Sequence, residues 1–136
     1  MPLFDSLRRL FRKERTPGER GERIAEKHLK KQGYKRIARN LRIRAGEIDL
    51  LMLDPDGRTL VFVEVKTARA DRRSSVPPEV RVGKQKQRKI VVVAMQIIKR
   101  YKLTGRPARF DIVGVSLHHD RPAEVRHYAN AFQSPW

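Results

Sequence analysis

Two apolar runs, Ile48 to Leu53 and Leu60 to Lys66, flank the tetrapeptide Asp54-Pro55-Asp56-Gly57, and no other feature constrains the chain as much. Asp first, Pro second and Gly fourth is the pattern of a type I turn, so the runs are expected to form a hairpin. With Leu53 paired to Arg58, Leu51 faces Leu60, Asp49 faces Phe62 and Glu47 faces Glu64. Residues two apart in a strand share a face, which puts Asp49, Glu64 and Lys66 on one side, the two acids as diagonal neighbours roughly 7 Å apart at Cβ. Two carboxylates can close that span around one cation. A loop one residue longer or shorter sends them to opposite faces. Charged groups in a strand fit for burial are costly unless they pair or bind a metal. A structural ion pair of Lys66 with Asp49 or Glu64 explains the spacing equally well.

The flanking segments supply the rest of an α/β domain. Thr16-Pro17-Gly18-Glu19 has capping-box spacing with Pro at the first helical position, so a helix should start there and run to about Gln32, where Gly33 can end it. Its apolar stripe is Ile24, Ala25, His28 and Leu29, and Glu22 lies beside that stripe. A carboxylate there either seeks a partner or simply favours the positive end of the helix dipole. Ile37, Leu41 and Ile43 alternate with polar residues in a first strand. After a loop around Ser74 to Pro78, Ile90, Ala94, Ile97, Ile98 and Tyr101 recur at helical spacing, and that periodicity outweighs the strand preference of Val91 to Val93. Phe110 to Leu117 reads as a strand and Val125 to Tyr128 as a short one. His118-His119-Asp120 reads as a solvated strand end, because adjacent strand residues point opposite ways. Residues 3–11 form a short basic amphipathic helix in a tail over residues 1–15, ahead of one domain over 16–136.

Charge narrows the function. The chain carries a net +17, which predicts salt-sensitive attraction to polyanions, nucleic acid first among them. Ala45 to Lys66 is the exception, holding five carboxylates and two cations between strongly basic flanks. Carboxylates that hold a metal, with cations around them that hold a phosphate backbone, give such a distribution. The absence of cysteine excludes disulfides, thiolate zinc sites and cysteine nucleophiles. No apolar stretch approaches the roughly 18 residues a membrane helix needs, and Asp5, Arg8 and Arg9 do not fit a signal peptide, so a cytoplasmic protein is expected.

Taken together, Gly21-Glu22 with Ala25 and Leu29, Gly33-Tyr34, Asn40, Gly46 to Leu50, Phe62 to Lys66, Arg109-Phe110-Asp111 and Asn130-Ala131-Phe132 resemble the YraN-like family of bacterial proteins. That family is similar to archaeal Holliday-junction resolvases within the PD-(D/E)xK nuclease superfamily. The resemblance implies a restriction-endonuclease-like αβββαβ core, a central mixed sheet flanked by helices, with Asp49 and Glu64 as metal ligands, Lys66 as the motif lysine and Glu22 as the helix-borne acid. Ile48-Asp49 replaces the superfamily's leading Pro-Asp, which spares the carboxylate. A homodimer and branched or junction DNA as substrate are implied by the same resemblance.

The expected chemistry is metal-dependent hydrolysis of DNA phosphodiesters. Asp49 and Glu64, helped by the Val65 carbonyl, would hold Mg²⁺ or Mn²⁺, ions that suit hard oxygen ligands. Lys66 would orient the water and stabilise developing charge, and Glu22 would support a second metal or a metal-bound water. Lys84, Lys86, Arg88 and Arg69 are the candidate phosphate contacts. Two other readings compete. A non-enzymatic nucleic-acid-binding or assembly factor on the same fold would bind without cutting, and a protein docking on ribosomes or membrane through Leu3 to Phe11 would depend on its tail.

Overall fold

The hairpin forms the middle of the sheet. The computed structural model describes residues 18–70 and 76–134. In chain order these give α1 (Glu19–Lys31), β1 (Lys35–Ile43), β2 (Gly46–Leu53), β3 (Leu60–Arg69), a 3₁₀ turn (Pro78–Arg81), α2 (Lys84–Arg100), β4 (Ala108–Leu117) and β5 (Glu124–Phe132). The expected helix at residues 3–11 and the Thr16-Pro17 cap lie outside the described residues. Strands run β1-β2-β3-β4-β5 across one sheet. All neighbours are antiparallel except β3 and β4, which are parallel and therefore need a crossover, supplied by α2. This is the expected αβββαβ order with one further strand.

One helix covers each face. Ala25 and Leu29 of α1 pack on Leu50, Met52, Val61, Val63, Val65, Val113 and Val115. Ile90, Val91, Val93, Ala94 and Ile97 of α2 pack on Leu51, Leu53, Leu60, Phe62, Phe110 and Ile112. Because β2 and β3 are buried on both sides, their sequences read as apolar runs rather than alternating ones. α2 holds its helix through three consecutive valines because Val91 and Val93 are buried while Val92 takes the outer side.

Three boundaries differ from expectation. α1 starts at Glu19 with Gly18 as its N-cap, and no side chain caps it. Its other end is as expected: Gly33 at φ 96° lets its own N–H and that of Tyr34 reach the Lys30 and Leu29 carbonyls. β5 runs nine residues, well beyond Val125 to Tyr128. The hairpin pairs Leu53 with Leu60 rather than Arg58, and Leu51 with Phe62 rather than Leu60. The type I turn forms, with the Gly57 N–H on the Asp54 carbonyl at 2.9 Å. The Asp56 carboxylate then takes the Arg58 and Thr59 N–H groups, each at 2.8 Å, and draws both residues into the loop. The slip is two residues, so side chains keep their faces through the paired stretch Leu50 to Leu53.

Packing of α1 on the sheet leaves no room at Gly21, where a Cβ would overlap the Thr67 side chain. Gly21→Ala should destabilise the fold by about 1–3 kcal/mol, and adding Thr67→Ala should recover part of that loss. Urea midpoints of the single and double variants check this.

Candidate active site

The site is a fork in the sheet. Pairing of β2 with β3 ends at Leu50–Val63, and the next inward N–H, that of Val65, is bonded at 2.9 Å by Asp49 Oδ2. Asp49 lies between Ile48, paired with Leu41, and Leu50, paired with Arg39, and so is level with Asn40 on β1. Asn40 has φ 48°, a left-handed conformation that Asn tolerates better than most residues. Ile48 and Leu51, three apart, share the α2-side core, so strict alternation breaks at this point of β2.

The slipped register brings Asp49 closer to Glu64 than the expected diagonal, so that a proton on one carboxyl can bridge to the other. Two adjacent carboxylates in a low-dielectric site cannot both ionise cheaply, which favours one shared proton. Burial and the Asp49 charge push Glu64 up to about 8, against the pull of Lys86 and Lys66. Burial likewise raises Asp49, although its hydrogen bonds with Glu64 and the Val65 N–H oppose the shift. Lys86, a candidate phosphate contact, stands in the first turn of α2 with Nζ 3.8 Å from Glu64 Oε2. Glu47 does not face Glu64. It is exposed and takes two hydrogen bonds from Arg42, at 2.8 and 3.1 Å.

Glu22 completes the site from α1. Its Oε1 is buried without a hydrogen-bond partner. Burial, then the charges of Asp49, Glu47 and Glu19, raise its pKa to about 7. Lys66, half-buried, follows Glu64 by two positions on β3. Lys84, Arg88 and Arg69 are exposed. With no acid in its first turn, α2 begins with Lys84, Lys86, Arg88 and Lys89 at the positive end of its dipole. That placement costs roughly 0.3–1 kcal/mol per charge and is relieved by a bound anion.

The donor set fits a hard divalent cation. Among the described residues no three His, Cys, Asp or Glu side chains form a ready-made cage. Mg²⁺ needs no such cage, since it is commonly held by one or two carboxylates with water and substrate phosphate.

A pH prediction follows. Folded Glu64 keeps its proton up to about pH 8, whereas the ordinary value is 4.5. The folded state therefore binds more protons in this interval, and stability falls as pH rises through it. Metal-free protein should melt at progressively lower temperature from pH 5 to pH 8, and Mn²⁺ should restore stability most at the alkaline end. A melting temperature that climbs over this interval without metal counts against the shared proton.

The fold is an α/β domain, a five-stranded mixed sheet with a helix on each face, consistent with a restriction-endonuclease-like core, and it carries an acidic pair at its central strand fork. The chain belongs to the family described as "Uncharacterised protein family UPF0102", which matches residues 21–115. It is 41% identical to a UPF0102 protein of Pelobacter propionicus, covering 88% of this chain and 84% of the relative. A UPF0102 protein of Symbiobacterium thermophilum is 43% identical over 88% of this chain and 98% of its own length. Glu22, Asp49, Glu64 and Lys66 all fall inside the matched span. Among the described residues no helix is long and apolar enough to cross a membrane.

Proposed function

We propose that the protein is a metal-dependent endonuclease acting on DNA phosphodiesters. The observation that carries this reading is the Asp49–Glu64 pair, two carboxyl groups at the fork of a buried sheet whose salt bridge among the described residues is Lys86 at 3.8 Å from Glu64. A stability role is a poor explanation for the pair, since its members repel when ionised. Asp49 and Glu64 would hold Mg²⁺ or Mn²⁺, with the Val65 carbonyl as a further oxygen. When bound, the ion supplies a water acidified toward neutral pH and a positive charge for the phosphoryl group. Lys66 orients the attacking water and stabilises the charge that develops on the phosphodiester. Lys86 holds Glu64 in place, and Glu22 accepts a hydrogen bond from water at the site's edge. Lys84 and Arg88 hold the strand by its phosphates.

The test is a panel of duplex, single-stranded and branched DNA with Mg²⁺ or Mn²⁺. Wild-type protein should cut at least one substrate, and Lys66→Ala should cut it about a hundredfold more slowly while binding it as well. If no substrate is cut with either ion while wild type, Asp49→Asn and Lys66→Ala bind DNA alike, the protein is a binding factor on a nuclease fold.

A further inference from the structure

A cationic cleft lies beside the first turn of α1. Arg20 in the first turn of α1, Arg69 at the end of β3, and Leu117, His118 and His119 at the end of β4 line an open cleft of about 260 Å³. Arg69 and Leu117 are register partners of the parallel β3–β4 pair, so the cleft is anchored on the rigid sheet. His118 and His119 both line it because they follow the last residue of β4, where strand alternation no longer applies. The side chain of His118 is only 10% exposed, which a solvated strand end would not give.

Elsewhere the protein neutralises guanidinium groups held against its sheet. Arg39 pairs with Glu26, Arg109 with Asp54 and Asp111, and Arg126 with Glu79. Arg20 and Arg69 have no such partner among the described residues. Two of the nearby acids are already partnered. Glu19 accepts from Arg23 at 2.8 Å, and Glu124 is shared by His118, Arg121 and Arg126 at 2.9, 3.8 and 3.6 Å. Two unpaired guanidinium forks facing one opening repel each other and match a phosphate.

We infer that this cleft binds a phosphate group of a nucleic-acid strand. That the phosphate belongs to a nucleic acid rests on the proposed nuclease reading. Arg20 and Glu22 share the first turn of α1, so the cleft and the acidic site lie at the same end of that helix.

The test measures binding of a short fluorescent single-stranded DNA in EDTA over a range of salt, which needs no cleavage. The double variant Arg20→Ala/Arg69→Ala removes two exposed side chains and should melt like wild type. Its affinity should fall about tenfold and its salt slope by roughly 1.4, about 0.7 for each cation removed. Lys27→Ala/Lys99→Ala removes the same charge from exposed positions outside the cleft and should change both quantities much less. Repeating the comparison with and without a 5′-phosphate shows which group is held: a loss confined to the phosphorylated strand assigns a terminal phosphate, and an equal loss assigns an internal one. Equal losses in the two double variants, or no loss in the first, overturn the inference. Because no metal is present, a fall in salt slope stands even if the cleavage panel is blank.

Discussion

Asp49→Asn is expected to stabilise the metal-free protein at pH 8 and to slow DNA cleavage by at least about a hundredfold. Both effects come from the same pair. At pH 8 the Asp49–Glu64 hydrogen bond survives only while one proton is retained, and Glu64 is near its midpoint there. A neutral amide can bond to an ionised Glu64 and still offer an oxygen to the Val65 N–H, so it removes the repulsion without removing the packing. A rise in melting temperature of about 3–4 °C is of the size expected for roughly 1 kcal/mol in a domain of this length. Mn²⁺ should then add less stability to the variant than to wild type. A variant that melts below wild type at pH 8 and still cleaves makes Asp49 an ordinary structural residue.

Asp111→Ala should have the largest effect on stability, a loss of about 3–5 kcal/mol. Asp111 on β4 is 0% exposed, and its carboxylate accepts four hydrogen bonds. Arg109 gives two at 2.9 and 3.1 Å, His127 gives one at 2.7 Å and the Asn130 N–H gives one at 2.9 Å. Arg109 also donates to Asp54 after β2 and to the Tyr34 hydroxyl before β1, both at 2.7 Å. One buried acid, level with Val63 on the neighbouring strand, thus ties together residues at the ends of four strands. Removing it leaves Arg109 short of its main counter-charge and the Asn130 N–H unsatisfied. Burial alone would raise this carboxyl, but the bonds from His127, Arg109 and Asn130 outweigh it and hold it below the ordinary range. A depressed acid contributes stability that is present above the ordinary carboxylate value and lost as pH falls through the depressed one. Wild type should therefore lose urea resistance in acid, and Asp111→Ala should lose much less over the same pH range. A cost under about 1 kcal/mol, or an unchanged acid limb, contradicts this role.

The hairpin and its acidic face were legible in the sequence because strand parity survives a register error of two residues. The size of the error had a local cause, the Asp56 side chain gathering Arg58 and Thr59 into the loop, and turn type alone does not specify that. Glu22 was legible as an acid beside a buried stripe, whereas its orphaned oxygen depends on how α1 sits over β3. The Lys86–Glu64 ion pair was not legible, because a run of cations in a first helical turn does not say which one turns toward the sheet. The rotation of α2, fixed by Ile90, Val93 and Ile97 against the sheet, makes that choice. The cleft residues His118 and Arg20 gave no periodic signal, since one lies past a strand end and the other on the exposed side of a helix.

Calorimetric titration of Mn²⁺ into the protein at pH 7, repeated in buffers of different ionisation enthalpy, bears most directly on the acidic fork. A site that must give up its shared proton to accept a cation should bind Mn²⁺ saturably and release about one proton, and Asp49→Asn should abolish that binding. Absence of saturable binding, or binding that leaves Asp49→Asn indistinguishable from wild type, contradicts a metal site at Asp49 and Glu64.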